Sequence, residues 1–555
     1  MPSNPRAAAT GLRRIASLAC LTLLSTAALG SPSAALPGST PVVCVSIDPV
    51  ASGERSDYDG DGIDDLVVGS PGEAIGIAPF TFPLYEAGQI NALYGTTSGI
   101  SSSGDQAFDM RDVGITGTPK DYDNFGASLA SGDFNGDGYS DIAIGSPQPD
   151  QLQNNTVGGR VSVFYGDAGG LDRNNDQLFS QDTAGVEDVS EAGDHFGLRL
   201  ASGDFNADGR TDLAIAAPRE AIAGVAGVQH GVVHVLYGSA SGLSAAADQL
   251  WSQDSPGIGD LAESGDRFGD ALATGDFNGD LVSDLAIGTP FEDNGITPEE
   301  GTVHVLFGQA GVGITSTGSR QLQRRTKILN IVADNTGYAF GSALAAGDTN
   351  GDGFDDLAVG LPGDDTSGAV DSGSVMLFLG SATGAFTRYA TVIHEDLGGV
   401  QGVAEAGDRF GETLTIAKLG ADFFEDLVIG VPGDRVGSQV GAGSVHVFMS
   451  KSFGVDLSDQ MVLTQSFIHS GSPEAGDAFG AALSNGDYNG DGFEDLAIGV
   501  PFEDIDNDED CGAVHIVYSS LSGPITESGV QLWSQGASGV DGTRKDSERF
   551  GSAVR

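Results

Sequence analysis

The sequence is poor in basic residues. Lys and Arg number 25 against 78 Asp and Glu in 555 residues, so the formal charge is -53 at pH 7. Nucleic acids and anionic membrane surfaces are bound through basic patches, and the composition therefore excludes both as partners. The excess carboxylates serve either solubility alone or the binding of divalent cations, and their positions in the chain decide between the two.

Cysteine is scarce as well. Cys20 lies in the N-terminal apolar stretch, which leaves Cys44 and Cys511 in the mature chain. In an oxidising compartment these two form one disulfide, and the alternative is a pair of buried free thiols. Neither arrangement provides a Cys-His cluster for a transition metal.

The sequence also lacks an apolar run long enough to be a transmembrane segment. Ile15 to Leu29 is too short for that purpose, follows arginines at 6, 13 and 14, and precedes small residues with cleavage expected after Gly30 or Ala35. This pattern predicts a signal peptide over residues 1–30 and a linker over 31–41. We expect a secreted, extracellular protein, with the periplasm or the cell surface as alternatives and the export route open.

Phe-Gly pairs recur along the chain at spacings of 71, 72, 72, 70, 69 and 71 residues. Such self-similarity at a fixed period is the signature of a repeat architecture. The pairs are Phe125-Gly126, Phe196-Gly197, Phe268-Gly269, Phe340-Gly341, Phe410-Gly411, Phe479-Gly480 and Phe550-Gly551.

Each repeat contains four predicted short strands. In the second repeat they cover residues 125–134, 141–147, 159–166 and 176–181, where apolar residues alternate between clusters of Gly, Asn and Asp. Four antiparallel strands per unit and seven units predict an all-β, seven-bladed β-propeller over residues 42–555. A stacked β-solenoid is the rival fold, but its repeats are typically much shorter.

The two ends of the repeat array are complementary. The first unit has a turn and a second strand but no Phe-Gly strand before them, whereas the chain stops at a surplus Phe-Gly strand, residues 550–555. We expect the termini to pair within one blade and so to close the ring without an exposed sheet edge. The alternative is a chain truncated in an eighth repeat, with Val42 to Ile47 supplying the missing strand.

The turn between the first and second strands of a unit carries a pattern of oxygen-bearing residues. Six of the seven turns have Asp or Asn at positions 1, 3, 5 and 9, and Ca²⁺ takes six to eight oxygens that alternate positions of a tight loop can supply. Position 7 is expected to add its backbone carbonyl. We predict five or six Ca²⁺ ions. The ligand sets are Asp57, Asp59, Asp61, Ile63 and Asp65; Asp133, Asn135, Asp137, Tyr139 and Asp141; Asp204, Asn206, Asp208, Arg210 and Asp212; Asp276, Asn278, Asp280, Val282 and Asp284; Asp348, Asn350, Asp352, Phe354 and Asp356; and Asp487, Asn489, Asp491, Phe493 and Asp495.

Two turns depart from this pattern. Position 6 is Gly in five of the six sets, which allows a sharp bend, but the fourth turn has Leu281 there, so we expect strain and a lower affinity. The sixth turn has Lys418 at position 1 and Gly420 at position 3, with Asp422 and Asp426 retained. We expect this turn to bind no metal, because the lysine ammonium replaces the cation.

Phe-Gly, the acidic turn and a following Gly-x-Pro together resemble the FG-GAP repeat of integrin α-subunit propellers. Gly-Ser-Pro at 69–71 and Gly-Val-Pro at 430–432 are examples of the last element, and the resemblance covers about residues 55–555. It implies a seven-bladed propeller with calcium in hairpins on one face and ligands on the opposite face. The absence of recognisable stalk domains suggests a free-standing protein of bacterial type.

Two functions remain open at this stage. The first is a binding or adhesion module for a protein or glycan ligand, with the variable loops at 291–300, 363–371 and 502–510 as its recognition surface. The alternating Asp504, Asp506, Asp508 and Asp510 in the last loop form a further cation site, a ligand contact or only a solvated acidic segment.

The second function is a secreted hydrolase, phospholipase-like or glycan-active, on a propeller scaffold. The sequence contains no GxSxG and no HExxH motif, so we expect no enzyme and no catalytic residues. Four of the eight histidines occupy the same third-strand position in different blades, which indicates packing rather than catalysis. They are His234, His304, His446 and His515.

Overall fold

The computed structural model describes residues 55–555 except 75–83, 113, 148–157, 223–224, 226–228, 294–298, 325–336, 469–471, 521–524, 526–528, 537–538 and 543. The predicted signal peptide, the linker, Val42 to Ile47 and Cys44 lie outside these residues. Within them, no helix is long and apolar enough to cross a membrane.

The described residues form seven four-stranded antiparallel sheets. The strands are β1 (Leu66–Ser70), β2 (Gln89–Tyr94), β3 (Ser101–Phe108), β4 (Ser128–Gly132), β5 (Asp141–Ser146), β6 (Arg160–Asp167), β7 (Gly170–Phe179), β8 (Arg199–Gly203), β9 (Asp212–Ala217), β10 (Val232–Ser239), β11 (Gly242–Trp251), β12 (Ala271–Gly275), β13 (Asp284–Thr289), β14 (Thr302–Gln309), β15 (Gly313–Leu322), β16 (Ala343–Gly347), β17 (Asp356–Leu361), β18 (Ser374–Leu379), β19 (Thr387–Ile393), β20 (Thr413–Ala417), β21 (Asp426–Val431), β22 (Ser444–Lys451), β23 (Gly454–Leu463), β24 (Ala482–Gly486), β25 (Asp495–Val500), β26 (Ala513–Val517), β27 (Gln531–Trp533) and β28 (Ala553–Val554). A short 3-10 helix spans Thr366–Gly368.

We number the blades by their second strands. Blade 1 has the strand order β28-β1-β2-β3, and blades 2 to 7 are β4 to β7, β8 to β11, β12 to β15, β16 to β19, β20 to β23 and β24 to β27. The first strand of every blade contacts the first strands of its two neighbours, and β28 contacts both β24 and β4. The predicted seven-bladed propeller is confirmed.

The Phe-Gly and Gly-x-Pro elements meet where two blades pack. A Cβ on Gly145 would lie 2.1 Å from the carbonyl oxygen of Gly197 in the next blade, so no side chain fits there. Five other blade pairs repeat this contact with a clearance of 2.4 Å or less: Gly69 with Gly126, Gly288 with Gly341, Gly360 with Gly411, Gly430 with Gly480, and Gly499 with Gly551. The preceding Phe is fully buried in every repeat. Close backbone approach therefore explains both glycines.

The third-strand histidines pack against the Phe of these pairs. The ring centroids of Phe196 and His234 are 5.4 Å apart, and three more blades show the same contact at 5.3 to 5.5 Å. Burial lowers the pKa of His304 to about 4 and that of His515 to about 3, so these rings are neutral at pH 7. The packing role predicted for the histidines is confirmed.

The ring is closed by the two ends of the described chain. Strand β28 pairs antiparallel with β1, where Val68 faces Val554 and Gly69 faces Ala553. Val67 and Arg555 exchange two backbone hydrogen bonds of 2.7 and 2.9 Å. The predicted pairing of the termini within blade 1 is confirmed, and β28 occupies the sheet edge that the alternative gave to Val42 to Ile47.

Candidate calcium sites on one face of the propeller

All seven turns between first and second strands lie at the same end of their blades. In blades 2 to 7 the turn begins directly after the first strand, and position 9 is the first residue of the second strand. We call this side of the ring the turn face. The loops from second to third strands, and from fourth strands to the next blade, lie at the other end, on what we call the loop face.

In the turn of blade 2, the side-chain oxygens accept backbone N–H groups of the same turn. Asp133 Oδ2 accepts from Gly138 (2.9 Å), Asn135 Oδ1 from Asp137 (2.7 Å), and Asp137 Oδ1 from Tyr139 (3.0 Å). These Asx-type bonds hold the oxygens of positions 1, 3 and 5 toward one centre. The N–H of position 6 donates to position 1 in all six acidic turns.

The Asp at position 9 is fixed between two strands. Asp141 Oδ2 accepts the N–H of Phe134 (2.9 Å), and its Oδ1 accepts the N–H of Gly166 in the third strand (3.0 Å). Burial raises the pKa of Asp141 to about 8. The pKa of position 9 is raised to about 7 to 9 by the same cause in the other turns: Asp65, Asp212, Asp284, Asp356, Asp426 and Asp495. A buried carboxylate of this kind is stabilised by a cation beside it.

The turn of blade 1 shows most directly that a cation fits. Asp57, Asp59 and Asp61 each place one carboxylate oxygen within 4.8 Å of the others. Asp57 Oδ1 is buried and has no hydrogen-bond partner. Burial, reinforced by the two neighbouring carboxylates, raises the pKa of Asp57 to about 6. An all-oxygen set of converging carboxylates matches the chemistry of Ca²⁺.

Position 7 contributes to the turn through its N–H, which donates to position 5. The distances are 2.9 Å for Ile63, 3.0 Å for Val282 and 3.2 Å for Phe354, and Tyr139, Arg210 and Phe493 make the same bond. Coordination by the carbonyls of these residues stays a prediction, as does the ion count.

The strained bend predicted in the fourth turn is present. Leu281 has a φ of 67° and a 79% exposed side chain, and its N–H still donates to Asp276 Oδ2 at 2.7 Å. A non-glycine residue in the left-handed region costs roughly 1–2 kcal/mol. The lower affinity predicted for this turn remains to be measured.

The sixth turn keeps the oxygens of positions 5 and 9 but lacks side-chain oxygens at positions 1 and 3. Asp426 Oδ1 accepts the N–H of Ser450 (2.8 Å), as position 9 does elsewhere, whereas its buried Oδ2 has no hydrogen-bond partner. Lys418 at position 1 donates its backbone N–H to Glu494 Oε2 of the next blade (2.7 Å). That its ammonium replaces a metal ion stays a prediction.

A ring of backbone hydrogen bonds joins the seven turns. The N–H of position 8 donates to the carbonyl of position 1 in the preceding blade, at 2.9 to 3.3 Å. The pairs are Ser140 to Asp57, Thr211 to Asp133, Ser283 to Asp204, Asp355 to Asp276, Glu425 to Asp348, Glu494 to Lys418 and Asp64 to Asp487. Sequence analysis missed this ring, because a bond between a backbone N–H and a backbone carbonyl leaves no signal in the residue type.

Seven antiparallel blades with repeated acidic hairpins on one face define a closed propeller of the integrin α type. The FG-GAP repeat profile matches residues 55–90, 125–164, 196–236, 268–306, 340–378 and 479–517, and the chain is an FG-GAP repeat protein. The unit that the profile leaves unmatched begins at Phe410 and contains Lys418.

The chain is similar to proteins of two different kinds. Integrin alpha pat-2 of Caenorhabditis briggsae is 31% identical over 249 residues, which cover 42% of this chain and 18% of that protein. The phosphatidylinositol-glycan-specific phospholipase D of Rattus norvegicus is 33% identical over 166 residues, covering 30% and 18%. The chain thus spans under a fifth of either relative. Among solved structures, a rhamnogalacturonan lyase of Bacillus licheniformis aligns over 86% of this chain and 76% of its own, at 11% identity and a TM-score of 0.35.

Proposed function

We propose that the protein is a secreted, calcium-binding propeller that acts as a binding or adhesion module for a protein or glycan ligand. Support for calcium comes from the converging, partly unpartnered carboxylates of the turns. Support for a binding role comes from the similarity to integrin α chains. The calcium ions would stabilise the turn face, and the ligand would bind the loop face.

The distribution of exposed apolar side chains carries the assignment of the ligand surface. Among the described residues, seven large apolar side chains at least 36% exposed lie in loops of the loop face, against four in hairpins of the turn face. Exposed apolar groups rimmed by polar residues are typical of interaction surfaces. Those of the loop face are Tyr85, Val189, Leu261, Val370, Val403, Val440 and Phe502.

The acidic run in the loop of blade 7 belongs to this face. Arg544 Nη2 pairs with Asp506 (2.9 Å), and Arg544 Nε lies 3.9 Å from Asp508. Asp504 Oδ1 accepts the N–H of Asp510 (2.8 Å). The run is therefore an internally braced acidic loop, and it offers a ligand negative charge rather than a dedicated cation site.

The ligand surface is tested by glycan-array screening and cell-surface pull-down of the exported protein, with and without Ca²⁺. Leu261→Ser and Phe502→Ser change the loop face, and Phe423→Ser and Phe453→Ser are matched controls on the turn face. We expect the loop-face variants to lose bound ligand and the controls to keep it. Equal loss from both pairs would contradict the assignment.

The phospholipase relatives support a second candidate, a hydrolase acting on a phosphoester or glycan. The third-strand histidines do not favour it, because His304, His446 and His515 are buried and neutral at pH 7. Turnover of a glycosylphosphatidylinositol substrate by the purified chain would establish the hydrolase, and binding without turnover would support the module.

A further inference from the structure

A second set of acidic residues lies on the loop face, at the far end of each blade from the calcium turn. Each set has four members. Two of them stand five residues and two residues before the Phe of Phe-Gly. The third stands two residues after the Pro that follows the second strand, and the fourth stands two residues after the last strand of the preceding blade. In four blades these loop-face clusters are Glu191, Asp194, Glu220 and Gln181 (blade 3); Glu263, Asp266, Glu292 and Gln253 (blade 4); Glu405, Asp408, Asp434 and Glu395 (blade 6); and Glu474, Asp477, Glu503 and Gln465 (blade 7).

The cluster of blade 3 brings three carboxylates together, of which two are buried and Glu191 is exposed. Glu191, Asp194 and Glu220 place one oxygen each within 4.8 Å of the others, and Asp194 and Glu220 are only 3% and 1% exposed. The N–H of Glu191 donates to Asp194 Oδ2 (2.5 Å), which holds that carboxylate in place. Among the residues described, no Lys or Arg is a neighbour that acts on the two buried carboxylates, Asp194 and Glu220.

A buried amide oxygen without a partner completes this cluster. Gln181 is 1% exposed, its Nε2 donates to Glu220 Oε2 (2.6 Å), and its Oε1 has no hydrogen-bond partner. Gln253 and Gln465 repeat the arrangement with Glu292 and Glu503, each with a free Oε1. An amide carbonyl oxygen beside carboxylates can coordinate a cation but finds no donor in the protein.

Blade 6 replaces the glutamine with a further acid. Glu395 is 2% exposed, and neither of its oxygens has a hydrogen-bond partner. It lies against Asp408, and Asp434 adds a like charge to both. His446 Nε2 is 3.6 Å from Glu395 Oε1, but burial lowers the pKa of His446 to about 4, so the ring adds no charge at pH 7.

The other three blades contain a protein cation at the same place. In blade 1, Lys545 Nζ lies 2.7 Å from Glu73 Oε1 and 3.2 Å from Glu548 Oε1. In blade 2, the Arg160 guanidinium bonds Asp123. Blade 5 has Arg324 where four other blades have Gln, and Arg324 Nη2 pairs with Asp364 Oδ1 (2.9 Å).

The charge of the residue five positions before the Phe of Phe-Gly differs between these two groups of blades. The residue is Lys120 in blade 2 and Lys545 in blade 1, but Glu in blades 3, 4, 6 and 7, and in blade 6 this Glu405 pairs at the surface with Arg435 (Nε to Oε2, 2.7 Å). The repeats thus add a third carboxylate at this position where no Lys or Arg pairs with the buried carboxylates of the cluster. This alternation is expected if every position requires a cation and some take it from solution.

We propose that the loop-face clusters of blades 3, 4, 6 and 7 are a second set of metal sites, each for one hard divalent cation of the calcium type. Three carboxylates and an amide or fourth carboxylate oxygen suit such an ion. In blade 4, a cavity of about 520 Å³ lined by Glu263, Asp266 and Glu299 gives access from solvent. Arg267 also lines this cavity, with its guanidinium 4.5 Å from the centre of the Phe291 ring. The alternative to a bound cation is a proton that the two buried acids of each cluster share.

The first test exchanges the two kinds of blade. Glu263→Lys gives blade 4 the lysine of blade 1, and Lys545→Glu gives blade 1 the glutamate of blade 4. Tightly bound Ca²⁺ per chain is counted by elemental analysis and native mass spectrometry of the folded protein. We expect Glu263→Lys to lose one ion and Lys545→Glu to gain one.

Two controls make the outcome specific. Glu187→Lys changes the charge equally at an exposed loop residue and should leave the count unchanged, whereas Asp280→Asn in the turn of blade 4 reports on the turn sites separately. An unchanged ion count in either folded exchange variant would overturn the proposal in favour of proton-sharing acid pairs. Loss of an ion only from Asp280→Asn would support the turn sites alone.

Discussion

Removal of calcium should lower the stability of the whole ring rather than of single turns. Each turn is hydrogen-bonded to the next through the N–H of position 8, so a turn that loosens also loosens its neighbour. Without a cation the first turn leaves the carboxylates of Asp57, Asp59 and Asp61 facing one another. Chelation by EDTA is therefore the most informative perturbation of this fold.

The size of the expected fall in Tm follows from the linkage between calcium binding and folding. A site held at ten times its dissociation constant adds about 1.4 kcal/mol, so five or six turn sites add about 7–8 kcal/mol. Unfolding of about 500 residues has an entropy of roughly 1 kcal/mol/K at about 2 cal/mol/K per residue. The expected fall in Tm is thus about 7–8 °C, and occupied loop-face clusters would enlarge it.

The assay is calorimetry or circular dichroism of the exported protein with millimolar Ca²⁺ and after EDTA treatment. EDTA already saturated with Ca²⁺ is the control for the chelator itself, and restoring excess Ca²⁺ should recover the original Tm. An identical melt in EDTA would refute the assignment of the turns as metal sites.

Four further outcomes are expected. Burial raises the pKa of Asp284 to about 8, so the calcium-free fold binds more protons than the unfolded chain between about pH 4 and 8 and loses stability as pH rises. Because Ca²⁺ requires the carboxylate, the calcium-induced rise in Tm should grow over the same range, and a pH-independent rise would contradict this. Leu281→Gly should raise the free energy of unfolding by about 1 kcal/mol in urea titrations, since it relieves a positive φ. Gly360→Ala should lower it by about 1–3 kcal/mol or more through the clash with the Gly411 carbonyl, whereas Gly398→Ala, with open space around it, should not. Cys511 is buried, and thiol titration of the denatured, unreduced protein should find no free thiol if Cys44 bonds it; two free thiols would exclude the disulfide.

The blades and the closure were predictable because they depend on periodic features. Phe-Gly spacing fixed the number of units, and the missing first strand matched a surplus last strand, which the pairing of Val68 with Val554 confirms. The convergence of the turn oxygens was equally predictable from the sequence, because a hairpin of fixed length places them together without any contribution from other blades. Even Leu281, an exception to the turn pattern, was predictable from the geometry that glycine normally provides.

Features built between blades were not predictable in this way. Gln253 and Asp266 lie far apart in the connection between blades 3 and 4, Glu292 lies in the loop after β13, and no single stretch of sequence shows that they meet. The same holds for the hydrogen bond that the N–H of Asp64 donates to the carbonyl of Asp487, which joins the turns of the first and the last blade. Such contacts depend on how one blade packs on the next, and a repeat alignment alone does not give that packing.

The two acidic sets together account for much of the charge imbalance of the chain. In blade 4, Asp284 begins the second strand at the turn face and Glu292 follows its last residue at the loop face. At roughly 3.4 Å per residue the strand separates the two sites by about 17 Å, so each needs its own counter-charge. Blade 1 supplies one such charge at the loop face with Lys545. A propeller with a formal charge of -53 that kept its buried carboxylates without cations would hold them protonated, and burial does raise the pKa of both Asp284 and Glu292 above neutrality. Calcium bound as we propose would therefore compete with protons for the same oxygens, and the free calcium concentration would decide which of the two these sites hold.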